Sequence, residues 1–368
     1  MTGAFRIFAI FTPHMKFLRL LLFPFSLIYG LIVVMRNWCF DAGLLKSRKF
    51  NLPVIAVGNL TIGGAGKSPM TEYLVSLLKK ENKIATLSRG YGRSTKGFLL
   101  ADANATADQI GDEPSQFKHK FPDITVAVCE KRVDGIEQLQ DHHDLIILDD
   151  AYQHRAVKPG LSVLLFDYNG LNNPHLVLPA GDYREPFSGR WRADAIVISK
   201  CPANLPADEQ ERIIYDMAPL PYQQVFFSSI NYMGLQDLKG NEVGTAIDQD
   251  TTVFLLTGIA NANPLLNYIK KQTLHVIQHN YPDHHRFSLK NITKLADEFA
   301  ACSTQKKLII TTEKDAQRLG EQELLSLVNK LPILVLPISV NFLNHRQEAF
   351  DQLITEYVRK HRKHNPIH

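Results

Sequence analysis

Apolar and polar positions along the chain fall into two kinds of block. Short apolar runs at Val54–Val57, Ile84–Ser88, Ile124–Val128, Leu145–Leu148, Leu161–Phe166 and Ala195–Ser199 each end in glycines, prolines or charges. Runs this short, rich in β-branched residues, predict buried strands. Helical spacing follows the first run, at Met70, Leu74, Leu77 and Leu78, and a helix is predicted over 132–139 after the third. The pattern restarts near Val225 with a connecting strand, Val225–Ile230. Four more apolar segments follow, Thr252–Leu256, His275–Gln278, Leu308–Thr312 and Ile333–Val340, with helices over Pro264–Lys271 and Leu289–Ala301 between them. Strands alternating with helices predict an α/β protein with a mostly parallel sheet, helices on both faces, and a second, smaller α/β domain. The boundaries read as a hydrophobic lead-in over 1–50, a core over 51–224, the smaller domain over 225–345, and a C-terminal helix with a basic tail over 346–368, frayed from Arg359.

The lead-in departs from this alternation. Leu20 to Met35, LLLFPFSLIYGLIVVM, carries no charge, with Lys16 and Arg19 before it and Arg36 after. A full span needs about 20 mostly apolar residues, and Pro24, Ser26 and Gly30 interrupt this run. The reading is a membrane-associated helix that dips into one leaflet or spans marginally; a buried core helix and a full span are the alternatives. No small-residue cleavage site marks a secretory signal. Lys46, Arg48 and Lys49 form a basic cluster suited to an anionic, cytoplasmic leaflet. Composition changes this picture little. The 368 residues are 45% hydrophobic with a net charge of +4, enough for two or more domains and no argument for nucleic acid. Cys39, Cys129, Cys201 and Cys302 are scattered, which fits a reducing compartment rather than a zinc site or a disulfide framework.

The chemistry begins at Val54–Thr71, VIAVGNLTIGGAGKSPMT. Strand, glycine turn and helix in that order make a phosphate cradle, because glycines let backbone N–H groups approach and the helix N-terminus faces the negative charge. The strict G-x-x-x-x-G-K-[ST] fails at Thr61, leaving the GGxGKS variant found in a subclass of P-loop NTPases. The expected nucleotide-binding segment is Thr61, Ile62, Gly63, Gly64, Ala65, Gly66, Lys67, Ser68 and Pro69, with Lys67 on the β- and γ-phosphates and Ser68 on Mg²⁺.

Other candidates sit at strand ends, where ligands gather in open α/β sheets. Arg89 and Tyr91, in Arg89-Gly90-Tyr91-Gly92-Arg93, make a candidate substrate loop or an ordinary turn. Asp112, in Gly111-Asp112-Glu113-Pro114, reads as a general base, a metal ligand or a helix N-cap. Asp149 and Asp150 end an apolar strand, as a site holding Mg²⁺ requires, and Gln153 and His154 follow as candidate substrate contacts. Arg184 and Glu185 lie in a turn-rich loop, either solvated or reaching the phosphates, with Glu185 a further candidate metal ligand. After Ala195–Ser199, Pro202 stands where guanine-specific N-K-x-D loops carry Asp, which favours ATP over GTP. His284, in Tyr281-Pro282-Asp283-His284-His285-Arg286, reads as part of a proton relay or as a surface histidine.

Taken in order, VGNLTIGGAGKSP, SRGYGR, GDEP, LDDAYQHR, LPAGDYREP, PDHH and TTEKDA resemble the tetraacyldisaccharide 4'-kinase family over nearly the whole chain. The resemblance implies ATP and Mg²⁺ as cofactors and transfer of the γ-phosphate to the 4'-hydroxyl of a tetraacylated glucosamine disaccharide 1-phosphate in lipid A biosynthesis. It implies Asp112 as base for the sugar hydroxyl, paired with His284, Asp149 and Asp150 near the metal, and Arg184 and Glu185 by the phosphates. Asp112 falls on the core and His284 on the smaller domain, so closure between them is expected to bring the pair together. Two departures stand out: Ala151 where the family commonly has Gly after the acidic pair, and Gly181-Asp182-Tyr183 before Arg184 in place of a Gly-Pro. A monomer at the cytoplasmic face of the bacterial inner membrane is expected. The competing reading is a membrane-tethered P-loop ATPase or GTPase switch of the partitioning or metallochaperone type, against which stand Pro202, the absence of a lysine opening the loop (Ile62) and the absence of cysteine metal ligands.

Overall fold

The computed structural model describes residues 19–364, so Lys16 and the last four residues of the tail lie outside the described residues. The strands run in chain order β1 Val54–Asn59, β2 Ile84–Ser88, β3 Leu99–Leu100, β4 Thr125–Val128, β5 Leu145–Leu148, β6 Leu161–Asp167, β7 Ala195–Ser199, β8 Gln224–Tyr232, β9 Thr252–Thr257, β10 Val276–Asn280, β11 Lys307–Thr311, β12 Ile333–Val335 and β13 Ile338–Phe342. The expected single segment over Ile333–Val340 is two strands. Pro337 separates them, since proline has no N–H to give a ladder.

Residues group into two compact units that do not follow chain order. One is Met1–Lys67, Leu148–Ser229 and Phe342–His368; the other is Ser68–Ile147 and Ile230–Asn341. The grouping differs from the boundaries read off the sequence, because the segment following the glycine loop belongs with the later α/β segment.

In the first unit the strand order is β8-β7-β6-β1, all parallel. Every residue of β1 is buried, as a parallel strand covered on both faces requires. Leu164, Phe166, Ile196, Ile198 and Phe227 share a core with Leu60 and Tyr183, so the strands and the loops they feed are packed as one body. Gly58, one residue before the end of β1, lies against Tyr152: a Cβ there would sit 2.6 Å from the Tyr152 Cβ and 3.0 Å from its backbone nitrogen. Gly58→Ala is therefore expected to cost about 1–3 kcal/mol of stability, read by denaturant unfolding; an unchanged midpoint would show that the strand yields freely.

The apolar N-terminal stretch is a helix, Phe23–Asp41, with Pro24 in its first turn, where no N–H is missed. It buries only Ser26 and Val33 and exposes Phe25, Leu27, Ile28, Leu31 and Trp38 among others. It is long and apolar enough to cross a membrane by length and composition, and its exposure removes the buried-core alternative. Its interruptions have a reason. The Ser26 hydroxyl accepts from Ala180 N at 2.7 Å, and Gly30 lies against Val177. The C-terminal helix runs Gln347–His364, beyond the expected start of fraying at Arg359.

In the second unit β5-β2-β4-β3 form one sheet portion, with β3 antiparallel, and β10-β9-β11-β12 form a separate parallel sheet. The second sheet is packed by Phe254, Leu256, Ile309 and Ile333 on one side and by Val253, Leu255 and Ile310 on the other. The helix after the glycine loop, Lys67–Leu78, buries Met70, Leu74 and Leu78 as the periodicity predicts, and also Glu72. Glu72 is held by Gln116 and by Lys120, which also binds Glu313. Burial raises the Glu72 carboxyl to about 7, against the opposing pull of Lys120.

Candidate active site

The glycine loop leaves β1 at Asn59 and enters its helix at Lys67. Gly63 and Gly66 have φ of 103° and 79°, conformations open to glycine, and nothing lies within 4 Å of where a Gly63 Cβ would be. Neighbouring segments fix the loop. Ile62 N donates to Asp182 O at 2.8 Å and Arg184 N to Leu60 O at 2.7 Å, so the loop around Arg184 is stitched to it by backbone. Ser199 Oγ donates to Ala65 O at 2.8 Å. Lys200 Nζ binds Gly64 O and, at 2.8 Å, Asp167. Lys200 thus braces the loop from the position that N-K-x-D loops use, a role the sequence reading missed. A cavity of about 240 Å³ opens beside the loop, lined by Thr61, Gly63, Gly64, Asp167, Asn173 and Tyr183 among others.

Lys67 Nζ donates to Asn59 Oδ1 at 3.0 Å and stands 3.6 Å from Asp150. Arg184 forms a fork on Asp150, at 2.9 and 3.2 Å, and also reaches the Asn59 carbonyl at 3.0 Å. Asp150 has a φ of 47°, an unusual left-handed conformation for a non-glycine residue, and such positions concentrate at functional sites. Its neighbour Asp149 is buried. Glu185, only 2% exposed, receives Gln153 at 2.9 Å, Asn37 at 3.1 Å and Arg192 at 2.9 Å. Gln153 also donates to Asn59 O at 2.8 Å, while His154 lies in the adjoining turn. Asn59, Asn37 and Arg192 were not among the sequence candidates, since single polar residues carry no spacing signal.

Polar side chains of the N-terminal helix and its lead-in reach the loop around Arg184 and the turn at Gln153. Arg19 binds Pro179 O at 3.2 Å, Asp182 at 2.8 Å and Gly181 O; Tyr29 OH donates to Arg184 O at 2.8 Å; Arg36 donates to Gln153 O at 2.7 Å.

These residues fit a nucleotide triphosphate. The loop presents an open cradle, Lys67 and Arg184 converge on one edge of it, and Arg184 Nε is buried without a hydrogen-bond partner among the described residues. No group of three or more His, Cys, Asp or Glu side chains arranged to hold an ion occurs among the described residues. Mg²⁺ in kinase sites is held by one or two side chains with phosphate oxygens and water, a number that Asp149 and Asp150 could supply. Glu185 is already surrounded by three donors.

The second cluster lies within the second unit. Gly111, with a φ of 96°, is the N-cap of the helix Asp112–Lys120, and no side chain caps that end. Asp112 is therefore not the N-cap. Its Oδ2 lies 2.7 Å from His284 Nδ1 and 2.7 Å from Arg318 Nη2. Burial alone would push the Asp112 carboxyl up, but hydrogen bonds from His284 and Arg318 and the charge of Arg318 outweigh it and hold it well below the usual carboxylate range. His284 has a φ of 57°, and its ring lies 5.7 Å from that of Tyr91. Tyr91 and Arg89 are both exposed. His284 lies at the surface, as one reading expected, yet its ring is engaged by Asp112. The expected domain closure is not needed for that contact, since Asp112 and His284 already touch inside one unit.

A model of the tetraacyldisaccharide-1-P 4'-kinase family matches residues 18–359. The chain belongs to this family. Among its kinase relatives, the tetraacyldisaccharide 4'-kinase of Phocaeicola vulgatus is 44% identical over 352 residues, covering 94% of this chain and 96% of that one. That of Bacteroides thetaiotaomicron is 42% identical over 358 residues, covering 94% of each. Among solved structures, LpxK from Aquifex aeolicus in complex with ATP superposes with a TM-score of 0.69 at 28% identity, over 93% of this chain and 99% of that one. Membership of the kinase family favours phosphoryl transfer over the nucleotide-switch reading and agrees with a mostly parallel α/β fold.

Proposed function

We propose that the chain transfers the γ-phosphate of ATP to the 4'-hydroxyl of a tetraacylated glucosamine disaccharide 1-phosphate. A sugar hydroxyl is a poor nucleophile, so its proton must be taken as the new bond forms. The O–H proton passes to the Asp112–His284 pair, the oxygen–phosphorus bond forms, and the bond from the γ-phosphorus to the β–γ bridging oxygen breaks to release ADP. Lys67 and Arg184 balance charge on the transferring group, and the loop amides seat the remaining phosphates. Mg²⁺, when bound, neutralises phosphate charge, and Ser68 with Asp149 or Asp150 would hold it. Glu185 orders Gln153 and Arg192 around the loop. Tyr91, whose ring lies 5.7 Å from that of His284, together with Arg89, Gln153 and His154, would contact the acceptor in this reading.

The observation that carries it is the 2.7 Å contact between Asp112 and His284 in a chain whose glycine loop ends in Lys67. A nucleotide switch needs the loop but has no use for an alcohol-directed base. The exposed apolar helix would seat the enzyme at the headgroups of the inner membrane's cytoplasmic face, with Lys46, Arg48 and Lys49 toward anionic lipid. Each cluster is built from this chain's own residues, so a monomer suffices. The test is ATP consumption with and without the acylated disaccharide 1-phosphate in mixed micelles. Turnover that depends on the acceptor is expected; equal hydrolysis without it would overturn the assignment.

A further inference from the structure

The TTEKDA motif, Thr311–Ala316, has no part in the chemistry above, yet the structure ties it to the Asp112–His284 pair. It opens the helix Glu313–Leu319, capped by Thr312, whose side chain accepts from Asp315 N at 3.1 Å. One turn on, Arg318 is only 2% exposed and extends its guanidinium between two carboxylates. Nη1 donates to Asp315 Oδ1 at 2.8 Å; Nη2 and Nε donate to Asp112 Oδ2 at 2.7 and 3.2 Å. Asp315 is fully buried and held in turn by Gly258 N at 3.0 Å and Thr312 Oγ1 at 2.8 Å. The Gly258 carbonyl then accepts from both Arg318 Nη1, at 2.8 Å, and the backbone N–H of His284, at 3.1 Å. Arg318 therefore touches the side chain of one member of the pair and the carbonyl that anchors the backbone of the other.

We infer that Arg318, held by Asp315, is a positioning residue for phosphoryl transfer: it fixes Asp112 as the carboxylate that receives the His284 Nδ1 proton, leaving His284 Nε2 as the atom that takes the proton of the sugar hydroxyl. The inference rests on the Asp112–His284 pair acting as the base. The geometry behind it is a matter of donors and acceptors. Asp112 Oδ2 already receives two nitrogens of Arg318, so it is an acceptor, and His284 Nδ1 must be the donor to it. A neutral imidazole with its proton on Nδ1 has its lone pair on Nε2. Arg318 Nη2 also stands 3.3 Å from His284 Nδ1, but both atoms lie closer, at 2.7 Å, to Asp112 Oδ2, so the carboxylate oxygen is the shared acceptor. The low setting of the Asp112 carboxyl described above is consistent with this assignment.

Other charges face Asp112 and stay in place when Arg318 is changed. Glu113, next to it on its own helix, is paired with Lys314 at 2.7 Å. Asp283 lies beside His284 on the loop, and Arg286, on the same loop, is paired with Asp108. Glu321, beyond the Arg318 helix, has its carboxyl raised chiefly by burial.

The experiment uses the full chain in mixed micelles with the acylated disaccharide 1-phosphate, comparing kcat against pH for wild type, Arg318→Lys, the paired Asp315→Asn/Arg318→Gln, and Asp112→Asn. The paired variant avoids leaving a buried carboxylate without its cation. Loss of the arginine's charge lets the pair keep a proton to higher pH, so the acid limb of the paired variant is expected to move up by about one pH unit or more, with kcat at the optimum down roughly 10–100-fold. Arg318→Lys keeps the charge and should return the limb toward wild type. Independently, ¹⁵N shifts of His284 should report the Nδ1–H tautomer in wild type and a mixture in the paired variant. A uniform loss of kcat with the limb unmoved and the His284 signals unchanged would overturn the inference while Asp112→Asn still abolishes turnover. Full turnover in Asp112→Asn would instead remove the base itself, and the inference with it.

Discussion

Asp112→Asn is expected to lower kcat by about 10²–10⁴-fold with little change in KM for ATP. The size is that of a general-base contribution, and the split follows from where the residue acts. Asparagine keeps the shape of the side chain and can still accept from Arg318 through its carbonyl oxygen, but it carries no charge to hold the His284 Nδ1 proton. Nucleotide seating depends on the glycine loop and its own neighbours, so ATP affinity should survive. The measurement is steady-state phosphoryl transfer to the acylated disaccharide with ATP titrated at saturating acceptor. His284→Ala should fall in the same range, and the double variant should lose little beyond either single one, since the two act as a unit. A variant that kept near-normal kcat would place the proton acceptor elsewhere.

Lys67→Ala is the second large effect. Lys67 reaches Asn59 at 3.0 Å and stands 3.6 Å from Asp150, so its ammonium is held at the mouth of the loop rather than free in solvent. Removing a preorganised cation aimed at developing phosphate charge costs about 10²–10³-fold in kcat, and here ATP affinity should fall as well. The fold should tolerate it, because Arg184 keeps its own fork on Asp150. Kinetics together with nucleotide binding by calorimetry would check both effects. An unchanged ATP affinity would show that the loop amides alone seat the phosphates.

The sequence made the elements legible wherever one period governed a whole segment. The helices over 132–139 and Leu289–Ala301 agree with the expected ranges because nothing in their surroundings competes with their spacing. Glu72 was unreadable because a glutamate on a helix is ordinarily solvated, and only Gln116 and Lys120 from elsewhere in the chain make its burial tolerable. The grouping of 68–147 with 230–341 was hidden for a similar reason: which sheet portion a helix packs on is a tertiary choice that local pattern does not encode. Motif reasoning brought out Lys67, Asp112, Asp150 and Arg184, whose types and spacing carry chemistry. It passed over Asn59, Lys200 and Arg318, which matter through what they touch.

The N-terminal helix bears on how the protein should be handled at the bench. Cutting the segment away to obtain a detergent-free sample would also strip Asn37 from Glu185 and Tyr29 from the Arg184 carbonyl. Greasy outward positions such as Leu21, Phe25, Leu27 and Leu31 are the ones to exchange for polar residues. A sample remodelled in that way would present a polar outer face while keeping the inward polar contacts of the helix intact.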